Sequence, residues 1–90
     1  MIQYEIKISG RVQGVGFRYF VLQKASEIGI KGWVKNARDG GVEVIAQGEE
    51  TDLNTFFDYI KIGPTRARVD NFSKYKTNVL TNFDNFSVKY

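Results

Sequence analysis

The succession of hydrophobic patterns along these 90 residues predicts an α+β fold, a ferredoxin-like sandwich in which an antiparallel sheet carries two helices on one face. Three observations predict it. Period-two and helix-period runs follow one another as strand, helix, strand, strand, helix, strand, with a short closing strand. An Asp-Gly-Gly turn joins the second and third strands, and right-handed crossovers through the helices bring this order into one sheet. Apolar residues make up 42% of the chain and aromatics 14%. A chain of this length buries about 60 to 70% of its unfolded surface, so one domain spanning residues 1–90 is expected.

Each element has its own signal. Tyr4, Ile6 and Ile8 alternate with Glu5, Lys7 and Ser9, the pattern of a half-buried strand from Tyr4 to Ile8. After a glycine-rich stretch, Phe17, Val21, Leu22, Ala25 and Ile28 recur at helical spacing. This predicts a helix over Tyr19 to Ile28, closed by Gly29. Ile30 to Lys35 and Val42 to Gln47 read as a hairpin around Asn36-Ala37-Arg38-Asp39-Gly40-Gly41, with Val42, Val44 and Ala46 on one face and Glu43, Ile45 and Gln47 on the outward one. Leu53, Phe56, Phe57 and Ile60 form the apolar stripe of a second helix, Glu50 to Ile62, with Thr51 as the expected N-cap and Gly63-Pro64 as the stop. A fourth strand is expected over Ala67 to Tyr75, irregular before Phe72. A polar loop over Lys76 to Asn85 and a closing strand over Phe86 to Tyr90 complete the chain.

Composition narrows the chemistry. There are no cysteines and no histidines, which removes thiolate nucleophiles, imidazole bases and the usual ligands of zinc or copper. No metal or cofactor is expected. The net charge of +3 is scattered among acids, which suits small anions and lacks the basic stripe of a nucleic-acid binder. No apolar run reaches the length of a membrane span, and the first strand starts too near Met1 to leave room for a leader. A cytoplasmic monomer is therefore expected, with no membrane or nucleic-acid partner.

The stretch Gly10-Arg11-Val12-Gln13-Gly14-Val15-Gly16-Phe17-Arg18 joins the first strand to the first helix. Such a connection gathers backbone N–H groups at the positive end of a helix dipole, where an anion binds. The dinucleotide fingerprint needs a glycine where Tyr19 stands, and the nucleotide P-loop needs a Gly-Lys-Ser/Thr that is absent. What fits is a phosphate cradle of the Gln13, Gly14, Val15, Gly16 and Phe17 amides with the Arg18 guanidinium. The competing reading has the glycines serve only a tight turn and Arg18 face solvent.

The topology brings Asn36, at the end of the second strand, towards this loop. An amide does not titrate, but it holds a water in line for attack; the competing reading makes Asn36 a plain turn residue. With no evident general acid at the loop, the reaction that fits expels a good leaving group. A carboxylate, whose conjugate acid has a pKa of about 4, leaves without protonation. Carboxyl-phosphate anhydrides are the natural substrate class.

The loop motif, followed by Gly32-Trp33-Val34-Lys35-Asn36, Asp39-Gly40-Gly41-Val42-Glu43 and Gly63-Pro64-Thr65-Arg66-Ala67-Arg68-Val69, closely resembles the acylphosphatase family in order and spacing. The resemblance covers essentially the whole chain. It implies metal-independent hydrolysis of a small-molecule acyl phosphate to a carboxylate and inorganic phosphate. The family's phosphate-binding amides fall on Gln13 to Phe17, its phosphate-binding arginine on Arg18 and its water-orienting asparagine on Asn36, which makes Arg18 and Asn36 the catalytic pair. Trp33 reads as a packing residue, and Lys31, Lys35, Arg38, Arg66 and Arg68 as solvated charges. Two other readings share the element order. One is an RNA-binding module, disfavoured because the third strand's outward residues offer no aromatic platform. The other is a regulatory anion-binding or carbamoyl-phosphate-handling domain of a larger enzyme.

Overall fold

The structure, a computed structural model, describes residues 1–78 and 81–90. Its elements run β1 (Ile2–Arg11), α1 (Phe17–Ile28), β2 (Lys31–Asn36), β3 (Val42–Gly48), α2 (Glu50–Ile62), β4 (Arg68–Thr77) and β5 (Phe86–Lys89). The alternation of β1 does what the pattern requires. Ile6 and Ile8 are buried with Val42, Val44 and Ala46 of β3 and Val34 of β2, while Glu5, Lys7 and Ser9 face solvent.

The sheet order is β4-β1-β3-β2-β5. β3 lies antiparallel to β1 and to β2, so β1 and β2 run the same way and α1 is the crossover between them. β5 pairs with β2 in parallel, Gly32 opposite Phe86 and Lys35 opposite Lys89. The sheet is thus mixed, which corrects the expectation of a purely antiparallel one. The consequence is positional: β1, β2 and β5 all end at the same edge of the molecule.

Both helices cover one face. Phe17, Val21 and Ala25 of α1 and Leu53, Phe56, Phe57 and Ile60 of α2 are buried against the sheet. Burial of each such large side chain contributes about 1.5–3 kcal/mol. Phe57 meets Tyr4 edge-on at 5.1 Å, and Phe56 meets Phe86 at 6.1 Å, which ties β5 into the core.

Other departures from expectation are local. α1 starts at Phe17, two residues before Tyr19, because Gly16 adopts the left-handed conformation that begins it. α2 is preceded by Glu49, not Thr51, and no side chain caps it; Thr51 lies inside the helix, where its carbonyl accepts from Thr55 Oγ1 at 3.2 Å. The irregularity before Phe72 is an extra residue, Asp70, between the pairs Ser9–Asn71 and Gly10–Val69. Gln47, expected to face out, is buried: its Nε2 donates to Gln3 Oε1 at 3.0 Å and to the Thr81 carbonyl at 2.8 Å. β4 runs on to Thr77, shortening the expected loop, and that loop's residues 79 and 80 lie outside the described residues.

Candidate active site

The parallel relation of β1 and β2 places the segment leaving β1 beside the end of β2. Val12, Gly14, Gly16, Phe17, Arg18, Tyr19 and Asn36 line one small cavity of about 120 Å³ there. Gly14 and Gly16 have φ of +73° and +77°, and a Cβ on either would meet no atom within 4 Å. Glycine is therefore required by the backbone conformation and not by crowding. Both residues line the cavity.

Gly16 opens α1 without a side-chain cap, and the helix's first turn carries no acidic residue. The first turn of a helix has N–H groups with no intrahelical partner, so those of α1 are presented to the cavity at the positive end of the dipole. α2 differs: Glu50 and Asp52 occupy its first turn and neutralise the same field.

Asn36 supplies the opposite polarity. Its Oδ1 is buried and has no hydrogen-bond partner, the one such side-chain atom found among the described residues. An unsatisfied buried acceptor costs about 1–3 kcal/mol, and functional sites are where such costs persist. Asn36 also borders a wider open groove lined by Lys35, Ala37, Arg38, Asp39, Glu43 and Tyr90.

Arg18 is held from below. Its Nη1 donates to the Lys89 carbonyl at 3.1 Å, and its guanidinium carbon lies 4.7 Å from the centre of the Tyr90 ring. The Tyr90 hydroxyl is 2.6 Å from that of Tyr19. This hydrogen bond, with lesser desolvation, raises the Tyr90 phenol above its ordinary pKa. Neither tyrosine was marked by sequence reasoning as a site residue. Their only signal was aromatic character, and the direction of β5 was needed to place Tyr90.

Of the residues expected to hold an anion, Gly14, Gly16, Phe17 and Arg18 line the cavity with Asn36. The side chains of Gln13 and Val15 turn elsewhere. Val15 packs against the core, and Gln13 reaches the β2–β3 hairpin, so what these two offer an anion is backbone. Trp33 is half-buried on the outer sheet face with Lys35 and Lys89 over its ring at 5.3 and 4.5 Å. A cavity of about 270 Å³ on the outer face includes Asp39 and Glu43 in its lining, carboxylates that oppose an anion.

Fold and cavity together define a ferredoxin-like α+β sandwich with a polar pocket of anion size at the N-terminus of its first helix. The acylphosphatase family model matches residues 4–88. An acylphosphatase of Bacillus subtilis is 43% identical over all of this chain and 99% of its own, and one of Archaeoglobus fulgidus is 48% identical over the whole of both. The crystal structure of the Bacillus subtilis acylphosphatase superposes with a TM-score of 0.96 over the full length of both chains. The full-length HypF structure in its phosphate- and nucleotide-bound form is 32% identical with a TM-score of 0.91, over 99% of this chain and 12% of that one. This chain belongs to the acylphosphatase family.

Proposed function

We propose that this chain hydrolyses acyl phosphates to a carboxylate and inorganic phosphate in the cavity shared by Arg18 and Asn36. The phosphoryl group sits at the start of α1, its non-bridging oxygens contacted by the Gln13 to Phe17 amides and by the Arg18 guanidinium. Charge-assisted hydrogen bonds of this kind contribute about 1.5–3 kcal/mol each. They matter most where they match the charge of the transition state.

The observation that carries this reading is the buried, unpartnered Oδ1 of Asn36, a residue that lines the same cavity as the uncapped helix start. An acceptor there accepts a hydrogen bond from a water and so points that water's lone pair at phosphorus, and both of the water's protons stay with the phosphate product. The water attacks, the bond between phosphorus and the acyl oxygen breaks, and the electron pair leaves with the carboxylate. No general acid is needed, because the conjugate acid has a pKa of about 4. Positioning and electrostatics suffice, so the reading requires no metal or cofactor.

The same reading has the chain act as a cytoplasmic monomer on a free small molecule, without nucleic acid. Among the described residues no helix is long and apolar enough to cross a membrane.

Roles are separated by inhibition kinetics with inorganic phosphate. Arg18→Gln is expected to weaken phosphate binding and turnover together, and Asn36→Ala to keep phosphate affinity while losing turnover. Equal loss of phosphate affinity in both variants contradicts the assignment.

A further inference from the structure

We infer that the Gln13 side chain is a positioning residue: its carboxamide ties the anion loop to the β2–β3 hairpin and so sets the loop's place relative to Asn36. The inference rests on the water-orienting reading of Asn36. It concerns a part of Gln13 that this reading does not use, since only the backbone amide was assigned to the phosphate.

The geometry is specific. Gln13 Nε2 donates to the Ala37 carbonyl at 2.8 Å and to the Gly41 carbonyl at 2.8 Å, which uses both of its protons. Each carbonyl also accepts from the hairpin's own backbone, Ala37 from the Gly40 N–H at 3.3 Å and Gly41 from the Ala37 N–H at 2.8 Å. The hairpin therefore closes without Gln13, and the two added bonds serve to join it to something else.

What they join is decided by register. Asn36 pairs with Val42 at the last rung of the β2–β3 ladder. Ala37 follows Asn36 and Gly41 precedes Val42, so Gln13 grips both strands one residue beyond the rung that carries Asn36. The sheet holds the loop's start from the far side, where β1 pairs with β4 through Gly10–Val69 and Arg11–Arg68, but not on the side of the hairpin. β1 and β2 are separated by β3, and the β1–β3 ladder ends at Ile8–Val42, before the loop begins. Among the described residues, the two Gln13 bonds are the hydrogen bonds that join the loop directly to the hairpin.

Glutamine suits the position by chemistry. A glutamate of the same shape would set a carboxylate against two carbonyls, and a methionine would fill the space with no donor. In-line attack is steep in geometry, and a misplacement of about 1 Å costs on the order of 100-fold. A loop free to drift from Asn36 would still bind phosphate through its amides and Arg18. It would lose the alignment of phosphorus with the water.

The test is steady-state hydrolysis of an aryl acyl phosphate by the wild-type chain, Gln13→Met, Gln13→Glu, Asn36→Ala and the double variant Gln13→Met/Asn36→Ala. Inorganic phosphate serves as competitive inhibitor and thermal unfolding is followed for each. The inference predicts that kcat of Gln13→Met falls about 10- to 100-fold, with the phosphate inhibition constant nearly unchanged, and that Gln13→Glu falls further. It also predicts that the double variant is no slower than Asn36→Ala alone, because Gln13 acts through Asn36. Wild-type kcat in both Gln13 variants overturns the inference. So do losses that multiply in the double variant, or phosphate affinity and thermal stability falling together with kcat, which mark a merely structural role. Full turnover in Asn36→Ala overturns instead the reading on which the inference rests.

Discussion

The Arg18 guanidinium lies over the Tyr90 ring, 4.7 Å from its centre, although the two residues come from opposite ends of the chain. The contact follows from strand direction. β5 runs parallel to β2, so its last residues emerge beside the start of α1, where the Lys89 carbonyl and the Tyr90 ring both meet Arg18. Arg18, the proposed phosphate ligand, is thereby oriented before any substrate arrives, which on that proposal lowers the entropy lost when its fork closes on phosphate.

Removing the ring should cost affinity more than turnover. A cation–π contact at an exposed site is worth about 0.5–1 kcal/mol. Tyr90→Leu is therefore expected to raise the phosphate inhibition constant about two- to fivefold with kcat little changed, as measured by competitive inhibition.

The Tyr19–Tyr90 pair predicts an alkaline effect. Tyr90's phenol is raised above its ordinary 10.0, first by the Tyr19 hydrogen bond, then by desolvation, with Arg18 opposing as the smallest influence. A raised folded-state value favours the neutral phenol. Its contribution is fully present below about 10 and is lost as pH rises through the raised value. Ultraviolet titration should show a phenolate transition above the ordinary range disappearing in Tyr90→Phe and shifting downward in Tyr19→Phe, and the stability difference of this origin between wild type and Tyr19→Phe should be present at pH 7 and vanish as pH rises through the raised value.

Gly16 and Gly29 separate backbone strain from anion binding. They bracket α1 at φ of +77° and +94°, and a Cβ on either meets nothing within 4 Å. Alanine at each should cost about 1–2 kcal/mol of stability for the left-handed backbone. Only Gly16→Ala should also weaken phosphate binding, because only Gly16 lines the cavity. Denaturant unfolding paired with phosphate inhibition checks both parts.

Much of this was legible in the sequence. The period-two runs and the Leu53, Phe56, Phe57 and Ile60 stripe located the core, since burial on one face imposes those periods. The glycine stretch and Asn36 were legible as a candidate site because a crossover helix joining two parallel strands of one sheet brings the first strand's exit and the second strand's end to the same edge. What was hidden depends on long-range geometry. No local pattern tells that β5 lies parallel to β2, and with that direction unknown Tyr90 could not be placed against Arg18. Gln47 reads as an exposed alternate because the cover that Thr81 lays over it is a loop contact without periodicity. The carboxamide of Gln13 was equally silent, since its partners are carbonyls and any residue type at Ala37 or Gly41 provides one.

The central claim is that Asn36 holds the attacking water in a cavity whose phosphate donors are amides and Arg18. Hydrolysis of an aryl acyl phosphate with EDTA present, by the wild-type chain and by Asn36→Ala, tests it most directly when thermal unfolding is recorded alongside. The account predicts rapid turnover by the wild type, and loss of turnover in Asn36→Ala without loss of stability, because that variant removes a buried acceptor that has no partner. Turnover that survives in Asn36→Ala, or a wild-type chain that folds and binds phosphate yet hydrolyses nothing until metal is restored, would contradict it.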